Sequence, residues 1–311
     1  MRYLVTGALG AIGAWTVRAL LDRGHDVVTY DLGGSDHRLA LALSDAELAA
    51  LWRVEGDVTD LAQLQSVMDD HDVTGVIHLA ALQVPFVRAD PVAGAAVNVT
   101  GTVNVLEAVR RRGDGMAPVV YASSIAALAE PAGGYPSTLY GVFKLANEGT
   151  ARRYFEDYGV ASIGLRPHTV YGPGRDQGLT SAPTTAMVAA AARVRYRIPF
   201  GGSAQLQYAP DVGAAFARAA QIDHAGAAVH DLGGPMIAMD DLVGLIVAAE
   251  PEAAGLITAA SDPLPFPSQT DGAGFAALVG GGLLRPVADG VADALPRFRA
   301  LLAGGLLRPP R

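Results

Sequence analysis

Apolar and polar positions alternate along the 311-residue chain in short blocks that switch between strand and helix periods. Residues 2–6 are a β-favouring run that ends in a glycine cluster. Across 11–23, Ile12, Val17, Ala19, Leu20 and Leu21 recur at helical spacing, and Gly24 stops the helix. Residues 25–30, with Val27 and Val28, read as a second strand, so the first 30 residues form a βαβ unit. The alternation continues with a capping-box helix from Ser44-Asp45-Ala46-Glu47. Strands are predicted at 52–55, 75–79, 118–122 and 161–165, and helices at 61–68, 91–112 and 137–158. Six strands alternating with helices predict an α/β fold with a doubly wound parallel sheet.

Beyond Arg166 the pattern loosens around Pro167, Gly172, Pro173, Gly174 and Gly178. Helices are predicted at 184–194, 211–221 and 239–249, and 229–232 reads as one more strand returning to the sheet. A loop rich in proline (Pro263, Pro265, Pro267) and two further helices complete the chain. The expected division is a dinucleotide-binding domain over 1–170 plus about 211–234, and a small substrate-binding lobe over about 171–210 plus 235–311. The Arg110-Arg111-Arg112 run falls at a helix end, where cations complement the dipole.

Composition narrows the function. With no cysteine there is no disulfide framework, thiolate nucleophile or cysteine metal site, and no histidine cluster suggests a metal. The net charge of −8 argues against nucleic acid as a partner. No apolar run reaches the ~18–20 residues of a membrane span, and the start lacks a signal peptide's apolar stretch. A cytoplasmic protein is the expectation. Of the 23 basic residues 22 are arginine, which singles out Lys144.

The chemistry gathers at three places. In Thr6-Gly7-Ala8-Leu9-Gly10-Ala11-Ile12-Gly13, Gly7 suits a tight turn, Gly10 a close pyrophosphate approach and Gly13 close packing of the helix on the sheet. The helix that follows offers free N–H groups to phosphate. Asp31, at the end of the second strand, suits the adenosine ribose hydroxyls and favours NAD over NADP, although Arg38 nearby blurs that preference. Tyr140 and Lys144 share a helix face, and a nearby cation lowers a phenol's pKa toward general-base work. Ser123-Ser124, after the strand at 118–122, can bring a hydroxyl to the same cleft.

These motifs, with Asp57-Val58, His78-Leu79-Ala80-Ala81, Asn98 and Arg166-Pro167, run in order over roughly 1–235, and the chain resembles an extended short-chain dehydrogenase/reductase of the NAD-dependent epimerase/dehydratase family. The resemblance implies a Rossmann-type sheet, NAD as cofactor and a homodimer formed through helices near 91–112 and 137–158. It makes Tyr140 the catalytic acid/base, Lys144 the holder of the nicotinamide ribose and Ser124 the partner of the reacting oxygen. Around the cofactor it places Gly7, Gly10, Ala11, Ile12, Gly13, Asp31, Asp57, Val58, Leu79, Ala80, Ala81, Gln83 and Pro167, with Asn98 supporting the active-site helices.

The chain also departs from the family. Thr169 stands where many nucleotide-sugar enzymes carry Asn, and Ala204 where they carry a diphosphate-clamping Arg, with Arg175, Arg193, Arg195 and Arg197 as cations able to substitute, so the nucleotide-sugar reading is weakened and not excluded. Thr169 and Arg175 are the candidate substrate contacts, although a surface ion pair with Asp176 is the more ordinary expectation for Arg175. His78 and His168 are read as residues that orient backbone or fill strand ends. The leading expectation is an NAD-dependent oxidoreductase acting on a secondary alcohol or ketone of a small sugar-like or sugar-acid substrate. The alternative is a nucleotide-sugar epimerase or dehydratase. An NAD-binding scaffold without catalysis is disfavoured by the intact Ser124, Tyr140 and Lys144 set.

Overall fold

The computed structural model describes residues 1–128, 134–264 and 267–310. Pro265 and part of the 126–136 loop lie outside the described residues. The strands are β1 (Arg2–Thr6), β2 (Asp26–Asp31), β3 (Trp52–Glu55), β4 (Gly75–His78), β5 (Val119–Ala122), β6 (Ser162–Arg166), β7 (Thr169–Tyr171), β8 (Tyr196–Ile198), β9 (Ser203–Tyr208), β10 (Ala227–Asp231), β11 (Met236–Ala238) and β12 (Ile257–Ala259).

Seven of them form a parallel sheet in the order β10-β6-β5-β4-β1-β2-β3. Strand order reverses between β1 and β4, so a crevice opens at their carboxyl ends. Successive side chains point to opposite faces. Tyr3 and Val5 therefore pack under helices Ala11–Leu21 and Ala209–Ala219. Leu4 and Val28 pack with Leu64, Met68, Leu106 and Val109 on the other face.

A second core gathers Tyr171, Met187, Leu206, Tyr208, Leu242, Ile246, Leu295 and Phe298 from separated pieces of chain. It is built around a three-stranded sheet, β11-β9-β7, and a two-stranded pair, β12-β8. The sequence reading had none of these five strands. Four of them have only three residues, too few to show a period. The short helices His37–Ala42 and Val84–Ala89 were missed for the same reason.

The continuous helical run Pro91–Arg112 is long and apolar enough to cross a bilayer by length and composition, yet half of its apolar stretch is buried inside the protein. Its middle, Ala96–Thr100, is a π-helical turn that carries Asn98. The arginines at its end pair with Glu107 and Asp69, so this cluster is a paired helix terminus.

Candidate active site

The glycine turn after β1 is shaped by contacts that no side chain could share. Gly7 has φ +70°, and a Cβ there would stand 2.5 Å from the Ala80 nitrogen, so β1 and the end of β4 meet at this point. At Gly13 a Cβ would stand 2.2 Å from the Gly7 carbonyl oxygen. Gly13 thus packs the helix on the turn itself, where the sequence had suggested packing on the sheet. Gly10 is the N-cap and gives no side-chain cap, which leaves the first N–H groups of the helix without one. At Gly10 a Cβ would meet only the Gly7 oxygen, at 3.1 Å. This cradle fits a pyrophosphate.

Asp31 accepts the Leu9 N–H and the Leu32 N–H, both at 2.9 Å. Burial raises its pKa, against those two bonds and the Arg38 charge. The Asp57 carboxylate accepts the Thr59 N–H, and Val58 is buried with its carbonyl accepting from Asn104. Asn98 pairs both amide atoms with the Leu82 backbone, while its own carbonyl accepts from Asn147 in the helix Leu139–Tyr158. The π turn therefore braces the loop after β4 against the helix that bears Tyr140.

Ser124 and Tyr140 come together for a local reason. Gly141 directly follows Tyr140, and a Cβ on it would stand 2.1 Å from the Ala126 carbonyl oxygen. Any larger residue would hold the helix away from the turn that carries Ser124. Thr138 caps this helix by accepting the Gly141 N–H, at 3.0 Å. The Ser124 hydroxyl lowers the pKa of the Tyr140 phenol and accepts the Ala126 N–H. Pro167 joins through its carbonyl, which accepts the Ile125 N–H.

The electrostatics correct one expectation. Burial raises the Tyr140 pKa; the Ser124 bond and the Arg175 charge oppose it without reversing it. Lys144 lies 5.5 Å from the Tyr140 ring centroid and donates to the Ala122 carbonyl at 2.7 Å, so its ammonium is engaged with backbone. The cation that acts on the phenol here is Arg175. Burial pushes Lys144 itself down to about 8, with Glu148 pulling the other way.

Arg175 does not form the expected surface pair with Asp176. Its guanidinium donates to Gln83 at 3.3 Å and Thr180 at 2.8 Å, half-buried and turned toward Tyr140. Asp176 pairs with Arg38 and His37. Thr169 is buried in β7, and its hydroxyl contacts His168 Nδ1. His168 Nε2 reaches the Pro267 carbonyl. His78 is buried between Thr6 and Thr102, and burial pushes it down to about 3.

Sequence reasoning missed the floor of the cleft. Glu148 lies one further turn along the Tyr140–Lys144 face. It accepts Arg166 in a bidentate pair at 2.7 and 2.6 Å, and it also takes the Ser123 hydroxyl. Arg166 reaches Asp231 at 3.2 Å as well. The i, i+4, i+8 register of Tyr140, Lys144 and Glu148 was the available signal.

The family model described as NAD dependent epimerase/dehydratase family matches residues 3–232. UDP-glucuronate 4-epimerase 6 of Arabidopsis thaliana is 33% identical over 183 residues, 55% of this chain and 40% of that protein. An uncharacterized 37.6 kDa protein of Escherichia coli O111:H- is 33% identical over 186 residues, 56% of this chain and 55% of that protein. The chain spans about half the length of these curated relatives. Among solved structures, the UDP-glucose 4-epimerase of Thermus thermophilus in complex with NAD superposes with a TM-score of 0.80 at 24% identity, covering 96% of this chain and 99% of that one. An L-threonine dehydrogenase from Cupriavidus necator superposes with a TM-score of 0.79 at 22% identity, covering 95% and 99%.

Proposed function

The chain belongs to the NAD-dependent epimerase/dehydratase family, with NAD as its cofactor, and we propose that it oxidises or reduces a secondary alcohol or ketone of a small sugar-like or sugar-acid substrate. One observation carries this reading. The Ser124 hydroxyl and the Arg175 charge both act on the Tyr140 phenol, while Ala204, buried in β9, stands where many nucleotide-sugar enzymes carry a diphosphate-clamping Arg.

Bound NAD supplies a two-electron acceptor or donor at its nicotinamide. The chain supplies the rest. Tyr140 takes the hydroxyl proton in oxidation and returns it in reduction. Ser124 holds the reacting oxygen beside the phenol. Lys144, fixed to the Ala122 carbonyl, holds the nicotinamide ribose. Arg175 holds a carboxylate or hydroxyl of the substrate and favours the phenolate. Asp31 takes the adenosine ribose, and Gly7, Gly10, Ala11, Ile12 and Gly13 receive the pyrophosphate. With its pKa raised, free Tyr140 is protonated at neutral pH, so oxidation should accelerate as pH rises.

We also propose a homodimer through the helices of 91–112 and Leu139–Tyr158, where Val92, Leu139 and Leu145 are exposed. The second reading, recycling of NAD by a nucleotide-sugar epimerase, is favoured by the curated relative that is a UDP-glucuronate 4-epimerase. Ultraviolet absorbance of NADH separates the two. Net NADH formation from NAD with free sugars or sugar acids is expected. Conversion of UDP-sugars with no net NADH, and none from free sugars, would overturn the dehydrogenase.

A further inference from the structure

Loop residues Pro173 to Asp176 are fastened to the cofactor half of the molecule at three points. The Trp15 indole N–H donates to the Pro173 carbonyl at 2.8 Å. Arg38 Nε donates to the Gly174 carbonyl at 3.1 Å, and the alkyl stem of Arg38 lies against Gly174, where a Cβ would meet it at 3.7 Å. Asp176 takes Arg38 Nη2 at 2.7 Å and Nε at 3.2 Å, and His37 Nε2 at 3.1 Å. In this turn Asp176 faces Arg38 and His37, while the neighbouring Arg175 reaches Gln83 and Thr180.

Arg38 is the cation best placed to decide between NAD and NADP. Its Nη1 donates to the Leu9 carbonyl at 3.0 Å, and the Leu9 N–H is held by Asp31. Its charge is felt by the Asp31 carboxyl. A guanidinium in this place, if free, is suited to a 2′-phosphate. Here all three of its nitrogens are engaged, with Leu9, Gly174 and Asp176. Burial pushes the Asp176 carboxyl up, but the bonds from Arg38 and His37 outweigh this and hold it below the usual carboxylate range.

We propose that Asp176 is a positioning residue for cofactor selectivity. From 138 positions away in the chain, it commits Arg38 to the loop and withholds that guanidinium from a 2′-phosphate, so that Asp31 decides for NAD. The proposal rests on the NAD reading above.

The test is calorimetric titration of the parent protein and its variants with NAD and with NADP, which needs no substrate. Loss of this charge frees the Nη2 edge of Arg38, the bonds to the Leu9 and Gly174 carbonyls remaining, so Asp176→Asn should raise NADP affinity relative to NAD by about tenfold. Asp176→Glu should keep the parental ratio. Adding Arg38→Ala to Asp176→Asn should abolish the gain, which a general loosening of the loop would not do. Arg38→Ala alone, informative even if Asp176→Asn fails to fold, should leave the ratio unchanged because that guanidinium is already committed. An unchanged ratio in Asp176→Asn with NAD binding intact overturns the proposal, as does weaker NADP relative to NAD in Arg38→Ala alone. A parent protein that binds neither nucleotide removes the cofactor reading itself, and the proposal with it.

Discussion

Lys144 and Arg166 are both cations withdrawn from solvent near Glu148, and the molecule treats them oppositely. Arg166 has a bidentate partner in Glu148 and a second carboxylate in Asp231. The Glu148 hydrogen bonds drive its pKa up, against burial. Lys144 is more deeply buried, at 4% exposure, yet its one hydrogen bond among the described residues is to a neutral carbonyl. Burial pulls its pKa down to about 8, and Glu148, which pairs directly with Arg166, only moderates this. The fully compensated cation is a structural part; the under-compensated one is a candidate for chemistry, because perturbed titration marks sites where charge is kept for use.

The comparison breaks if the two cations respond alike to removal. Arg166→Met strands Glu148 beneath the cleft, and should cost about 3–5 kcal/mol of stability, read from denaturant midpoints. Lys144→Met should act the other way. The native chain releases the lysine proton near pH 8, against 10.5 for the free side chain, so in the parent the burial penalty is fully present below pH 8. Unfolding free energy should then rise between about pH 8 and 10.5 as the folded and then the unfolded lysine lose charge. Lys144→Met should stabilise the protein at neutral pH by about 1–3 kcal/mol, abolish that slope and lose turnover. Lys144→Arg should also impair turnover, because a wide planar guanidinium cannot replace a compact ammonium there. Glu156 sharpens the contrast at the smallest scale. It pairs with Arg152 and Arg153 on the same helix as Glu148 but in solvent, so Glu156→Gln should leave the denaturation midpoint unchanged.

The cofactor half was legible in the sequence because its signals are local. The Gly7 conformation, the capping box at Ser44, where Glu47 and Ser44 satisfy each other, and the period of each helix are all written within a few residues. The Tyr140–Lys144 spacing belongs to the same class. In the opposite half the helices predicted at 184–194 and 239–249 were legible, but the strands were not. β7, β9 and β11 exist through pairing between distant segments, and the Arg38–Asp176 contact has no local trace. Reading Tyr140 from spacing alone also gave the wrong direction for its pKa. Spacing puts Lys144 on the same face but cannot show that its ammonium turns to the Ala122 carbonyl, or that burial dominates the phenol.

The claim that Tyr140 moves the proton in NAD-dependent oxidation is tested most directly by one side-by-side measurement. NADH formation by the parent protein and by Tyr140→Phe is followed with the substrate that the parent oxidises fastest. The account predicts a fall of about 10²–10⁴-fold in turnover with the unfolding midpoint within error of the parent. Equal turnover in the two proteins would contradict it.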